Sequence, residues 1–208
     1  MAAARGEAHA VPLPRLAEQQ EAWKRQQASL APHVVLHDDA DWLVSSSEGG
    51  DWQARLHMVG GLDISVFPSV DASGGSGNGG GVASLAVLAF PSLALRHLEQ
   101  LHLPSLTAPY IPGFLGFREV PAYLELLHRA VQQGVHPQLL LVDGFGVLHP
   151  RRCGSASQLG VLAGLPTVGF AKSLLAVDGL PRERQPVNRP GRGAALLQAQ
   201  STGAYPPG

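Results

Sequence analysis

The pattern of apolar and polar side chains divides this chain into elements. Leu139-Leu140-Leu141-Val142 is a continuous apolar run closed by Asp143-Gly144, the pattern of a strand covered on both faces. Leu56 to Phe67 alternates instead. Met58, Leu62, Ile64 and Val66 fall on one side, and Asp63, Ser65 and Phe67 on the other, as a half-buried strand requires. Val82 to Phe90 and Leu93 to Leu103 read as two more strands, with Pro91-Ser92 as a tight turn between them. Three successive strands without a helix predict an antiparallel meander. Pro166 to Phe170 is a fifth strand. Helical patterns fill the rest. From Arg15 to Leu30, the residues Leu16, Trp23 and Leu30 recur at seven-residue spacing, and the amphipathic helix they predict should lie on another element. Phe114 to Gln132 places Phe114, Phe117, Leu124, Leu127 and Val131 in an apolar stripe, and Pro121 is expected to kink or split that helix. Ser155 to Ala163 is a short third helix. The order helix, three antiparallel strands, helix, strand, helix, strand predicts an α/β fold built on a mixed sheet.

Between these elements, residues 1–14 read as a disordered leader, 37–52 as a polar loop and 68–81 as a Gly-rich link. After Leu180 the composition shifts to Pro, Arg, Gly and Gln without periodicity. One domain is therefore expected over 15–180, followed by a disordered or poorly packed tail over 181–208. The length of 208 residues suits one such domain with a real core. A single cysteine excludes an internal disulfide framework. No run of apolar residues is long enough to span a membrane, and Met1 to Pro14 lacks the apolar core of a secretory signal. The net charge of −1 does not by itself mark a nucleic-acid binder. Its distribution is less neutral: between Pro150 and Arg192 stand six Arg and Lys172 against Asp178 and Glu183, a local excess able to face phosphates.

Three carboxylates stand out by context. Asp63 interrupts an apolar strand, Glu119 lies in the first turns of the helix that follows a Pro-rich loop, and Asp143 ends the fourth strand. An ionised carboxylate among apolar neighbours is costly unless it is paired or metal-bound. If the strands of Asp63 and Asp143 are neighbours, two charges about 5 Å apart at an effective dielectric of about 20 repel by roughly 3 kcal/mol. A divalent cation removes that repulsion, and oxygen donors suit Mg²⁺ or Mn²⁺. Singly, each carboxylate is equally a turn cap or a surface charge; together they point to a cation site. Lys172, just past the fifth strand, is placed to neutralise a phosphate or a leaving oxygen. His149 is a candidate to orient water, donate a proton or hold a phosphate. Gly75 to Gly80 matches a dinucleotide glycine pattern but precedes a strand rather than a helix, so the pyrophosphate site is missing. Cys153 has no sequence context of a nucleophile, and the nine histidines show no zinc-like pairing.

Four motifs in order, Gly60-Gly61-Leu62-Asp63-Ile64-Ser65, Pro109-Tyr110-Ile111-Pro112-Gly113-Phe114-Leu115-Gly116-Phe117-Arg118-Glu119, Val142-Asp143-Gly144-Phe145-Gly146 with His149, and Pro166-Thr167-Val168-Gly169-Phe170-Ala171-Lys172, together resemble endonuclease V. The resemblance runs from about Leu16 to Leu180 and implies a ribonuclease H-like fold. It also implies a monomeric, Mg²⁺-dependent endonuclease, cytoplasmic or nuclear. Such an enzyme hydrolyses a phosphodiester 3′ to inosine, the product of adenine deamination, in single-stranded RNA or DNA. By resemblance, Asp63, Glu119 and Asp143 hold the metal, with His149 and Lys172 assisting catalysis. Tyr110, within Pro109, Ile111 and Pro112, resembles the family's wedge, which props the strand open; a rigid Pro-flanked aromatic suits that role. The pocket for the extruded base corresponds to Gly113, Leu115, Gly144, Gly154 and Leu175, where small residues let backbone groups read a base edge. The sequence departs from the family at Phe145, usually polar there. Arg152, Cys153 and Gln158 replace a Gly, an apolar residue and a His. Past Leu180 nothing corresponds to the family's further strand and helix, so the chain reads as a C-terminally truncated or alternatively spliced form. The alternative implied by that loss is a non-catalytic, inosine-binding remnant.

Overall fold

The computed structural model describes residues 13–37, 40, 42, 54–67, 69–70, 76–77, 79–106, 108–171 and 198–202. Helix α1 (Leu13–Leu30) leads through a 3₁₀ turn (Ala31–His33) into a two-residue strand, β1 (Val34–Val35). The meander follows as β2 (Met58–Val66), β5 (Gly81–Ala89) and β6 (Leu95–Leu103). A two-residue ladder, β3 (Ser69–Val70) with β4 (Ser76–Gly77), lies inside the Gly-rich link. Helix α2 (Leu115–Gln132), β7 (Leu139–Asp143), helix α3 (Ser155–Ala163), β8 (Thr167–Phe170) and β9 (Gln198–Thr202) complete the order. Seven strands form one sheet in the order β1-β9-β8-β7-β2-β5-β6. β2 pairs antiparallel with β5 and β5 with β6, whereas β7 runs parallel to both β2 and β8. The mixed sheet and the meander are therefore as the alternation predicts.

The core forms where α2 and α3 cover one face of the sheet. Leu62, Ile64, Leu85, Val87, Leu140 and Val142 meet Val120, Tyr123, Leu126, Leu127, Ala130, Ala156 and Leu159. Strict alternation of buried and half-buried residues along β5 shows why this strand specifies its register. A second cluster joins Trp23 of α1 to Phe114, with Ile111 and Phe117 partly buried beside it. The indole of Trp23 stacks on the Phe117 ring at 5.0 Å between centroids. Leu30 packs with Cys153 and Val161. The seven-residue stripe of α1 thus does lie on other elements.

Four expectations need correction. Helix α2 runs unbroken through Pro121. That residue is exposed, while its neighbours Val120, Ala122 and Tyr123 are buried, so packing on either side outweighs the lost backbone bond, about 3 kcal/mol. The buried face of α2 is also rotated from the predicted stripe: Val131 is 46% exposed and Phe114 and Phe117 serve the Trp23 cluster, not the sheet. Val66, expected with the buried set, is exposed because it sits at the end of β2, opposite Gly81 at the start of β5. Within 181–208, expected to lack structure, Gln198–Thr202 forms β9 and inserts antiparallel between β8 and β1. The leader, most of the polar loop and 172–197 lie outside the described residues.

Candidate active site

The parallel register of β2 on β7 pairs Leu62 with Val142, both of them core residues. One step further along each strand stand Asp63 and Asp143. The two aspartates thus follow the last paired residues of adjacent strands, which lie about 4.8 Å apart in a sheet. Asp63 is exposed and Asp143 half-buried. Glu119 approaches from the first turns of α2, and its Oε2 accepts a hydrogen bond from the Tyr123 hydroxyl at 3.2 Å. Burial pushes the Glu119 carboxyl up to about 7, and the charges of Asp143 and Asp63 push the same way. The Tyr123 hydrogen bond and the Arg118 guanidinium resist that rise. Tyr123 itself, buried and beside Glu119, is held far above the ordinary phenol range. These influences place the three carboxylates within electrostatic reach of one another. Among the described residues, however, no three His, Cys, Asp or Glu side chains are drawn tightly enough to enclose a metal ion as they stand.

Beside this acidic face the chain turns on glycines. Gly144 follows β7 with φ of +136°, and its amide donates to Phe170 O at 2.7 Å. A Cβ there would collide with the Ser155 hydroxyl and come within 3.7 Å of Leu115. A Cβ on Gly154 would run into the Phe145 carbonyl. Leu115, Gly144, Gly154 and Ser155 are therefore gathered in one place, where α2, α3 and the end of β7 meet. Two buried polar atoms here, Ser155 Oγ and Gln158 Oε1, have no hydrogen-bond partner in the protein, and Gln158 faces Gly116. Gln158 is a position where the sequence departs from the family, whereas nothing in the pattern of this short, mostly apolar helix marks Ser155.

Gly113, with φ of +82°, closes the Pro-rich loop. Its carbonyl accepts from Gln27 Nε2 at 3.2 Å, His149 Nε2 at 3.1 Å and Arg151 Nη2 at 2.6 Å. Tyr110 stands 65% exposed on the same loop, between half-buried Pro109 and Ile111, with Pro112 exposed.

His149 is only 2% exposed. Its Nδ1 accepts from the Arg151 amide at 3.2 Å while Nε2 donates to Gly113. Burial, aided by the Arg151 charge, lowers it to about 4, so it is neutral near pH 7. The ring fastens two loops, with the one proton of the neutral imidazole directed at the Gly113 carbonyl. Lys172 and Leu175, the other predicted site residues, lie outside the described residues. Cys153 is buried and its thiol is pushed up to about 11, which leaves it unreactive.

The sequence model of the Endonuclease V family matches residues 41–205. Human Endonuclease V is 49% identical over 162 residues, which are 76% of this chain and 52% of that protein. Mouse Endonuclease V is 44% identical over 162 residues, 76% of this chain and 44% of its own. The chain thus spans about half the length of the curated relatives it matches. Among solved structures, the catalytic domain of human Endonuclease V superposes with a TM-score of 0.67 at 46% identity, covering 80% of this chain and 63% of that one. Endonuclease V of Ciona intestinalis, in complex with a 23mer DNA containing an inosine followed by a ribo-adenosine, superposes with a TM-score of 0.65 at 30% identity, covering 79% and 63%.

Proposed function

The chain belongs to the endonuclease V family, with its ribonuclease H-like fold, and on that premise we propose that it is a metal-dependent endonuclease acting at inosine. One observation carries the reading: Asp63 and Asp143 each lie one residue past the Leu62–Val142 pair of adjacent parallel strands, and their charges add to the burial that lifts Glu119 to about 7. Three carboxylates in mutual repulsion form a donor set that a hard divalent cation suits. Asp63, Asp143 and Glu119 would hold Mg²⁺ or Mn²⁺ after side-chain rotation, since no ready cage exists among the described residues. When bound, the metal supplies an activated water and charge for the leaving oxygen.

The protein's own residues then position the substrate. Tyr110, exposed on its Pro-flanked loop, is presented to insert beside the extruded base and stack. Gly113, Leu115, Gly144 and Gly154 offer backbone groups to the edge of a hypoxanthine ring. Tyr123 orients Glu119 through its hydroxyl. Lys172 would neutralise charge on the phosphate, and Leu175 would complete the base pocket. The related protein of Ciona intestinalis is seen with inosine-containing DNA, which supports a nucleic-acid partner for this chain. The test is cleavage of paired RNA and DNA single strands, each carrying one inosine, with Mg²⁺. Cleavage 3′ to inosine that is abolished by Asp63→Ala supports the reading.

A second reading is a non-catalytic inosine binder. It is favoured by the open spacing of the carboxylates among the described residues. Inosine-dependent binding without cutting in any divalent metal would select it.

A further inference from the structure

We propose that Gln27 of α1, working with Arg151, is a positioning residue that fixes the Tyr110 loop through the carbonyl of Gly113. The inference rests on the reading above, that Tyr110 inserts beside the base. Gln27 lies before the residues that the family pattern matches, and nothing in its polar, solvent-loving side chain explains why it is 2% exposed. Its neighbours explain it. Gln27 Nε2 donates to Gly113 O at 3.2 Å and to Cys153 O at 2.9 Å, and its Oε1 accepts from Arg151 Nε at 2.5 Å. Arg151 Nη2 reaches the same Gly113 carbonyl at 2.6 Å. The guanidinium lies 4.3 Å over the Phe114 ring, which packs on Trp23. With His149, three donors from two distant segments converge on one carbonyl that has two lone pairs.

That is more fastening than a turn needs. A turn bond from the Phe114 amide to Ile111 O at 3.0 Å already shapes the loop locally. The additional donors tie the loop to α1 and to the segment after β7. Tyr110, three residues before the anchored carbonyl, is exposed and makes no side-chain hydrogen bond among the described residues. An aromatic that must enter a base stack binds better if its loop is ordered beforehand, because the ordering entropy is then not lost on binding. Gln27 holds the loop, and Arg151 holds Gln27.

The experiment uses the full chain with a fluorescein-labelled single strand carrying one inosine. Binding is followed by polarisation, and amide hydrogen exchange is measured at Tyr110 to Phe114 and along α2. Gln27→Met is expected to weaken binding about tenfold and to speed exchange in the loop, with α2 amides unchanged. In a Tyr110→Ala background the same substitution is expected to weaken binding no further, because it acts through Tyr110. Gln27→Glu keeps the acceptor for Arg151 but turns a second acceptor on the Gly113 and Cys153 carbonyls, so it is expected to weaken binding at least as much as Gln27→Met. Equal losses in both backgrounds, or unchanged loop exchange in Gln27→Met, would overturn the proposal. If the wild type binds inosine no better than adenosine, the functional reading fails, and loop exchange alone then decides whether Gln27 fixes the loop.

Discussion

The acidic face and the Gly113 anchor are neighbours in this fold and opposites in their chemistry. At the anchor the polar groups the argument relies on are matched: Gln27 uses both ends of its amide, His149 both ring nitrogens, and Arg151 two of its nitrogens. At the acidic face, burial and the charges of Asp143 and Asp63 lift Glu119 to about 7 against the Tyr123 hydroxyl and the Arg118 guanidinium. A satisfied network is rigid and ready to present something. The like charges around Glu119 are instead the donor set that the proposed cation would neutralise. The contrast separates a part of the site that positions substrate from a part that awaits its reactive component.

The sharpest way to break the contrast is to remove a charge from the acidic face. Asp143→Asn is expected to reduce cleavage by at least about a hundredfold, near 3 kcal/mol, while leaving inosine-dependent binding within about twofold. Equal losses of both in the cleavage and polarisation assays would place Asp143 in binding instead. Next is the glycine that lets the two regions abut. Gly144→Ala would meet the Ser155 hydroxyl at a backbone angle that disfavours any side chain. A loss of about 2–3 kcal/mol of stability in urea unfolding is expected, and a loss below about 0.5 kcal/mol would contradict the packing.

The pH dependence sets the two regions against each other. Glu119 has a raised value in the folded state, so its contribution to stability is complete below about 4.5 and is lost as pH rises through about 7. That loss is about 2–3 kcal/mol. His149 is lowered, so its contribution is present above about 6.5 and is lost as pH falls through about 4. In metal-free wild type the two slopes oppose one another between pH 5 and 6.5, roughly the window in which both groups titrate. Glu119→Gln removes one of them, and metal-free stability is then expected to rise with pH over that range. A flat profile in the variant, measured by urea unfolding, would mean that His149 is not held neutral by the fold. The smallest effect expected is from Tyr123→Phe. It removes the hydroxyl that steadies the Glu119 carboxylate, and Glu119 should titrate above its wild-type value by less than about one unit.

Much of this was legible in the chain because periodicity reports burial. The strand of Leu139–Asp143 and the helix of Ser155–Ala163 have the bounds that their patterns predict. Asp63 and Asp143 were readable as a pair because their apolar strands could be neighbours, as the parallel pairing of β2 with β7 bears out, although each alone is equally a turn cap or a surface charge. The anchor was hidden for the opposite reason. A glutamine in an amphipathic helix looks like solvent-facing surface, and only its place between Trp23 and Leu30 on the buried stripe hinted otherwise. The fastening role of His149 was hidden too, because its partners, Gly113 and Arg151, come from a loop and a backbone amide that no spacing reveals. Helix α2 turned its buried face away from the predicted stripe because Phe114 and Phe117 were claimed by Trp23, a tertiary contact outside any local window.

The claim that everything else leans on is that Asp63, Glu119 and Asp143 form one electrostatic unit built to receive a divalent cation. It is tested most directly by carboxyl-detected NMR of Glu119, titrated with and without Mg²⁺. The account predicts a midpoint about 7 in metal-free protein and a fall toward or below the ordinary carboxylate range when Mg²⁺ is added. A midpoint that Mg²⁺ leaves unchanged would contradict it.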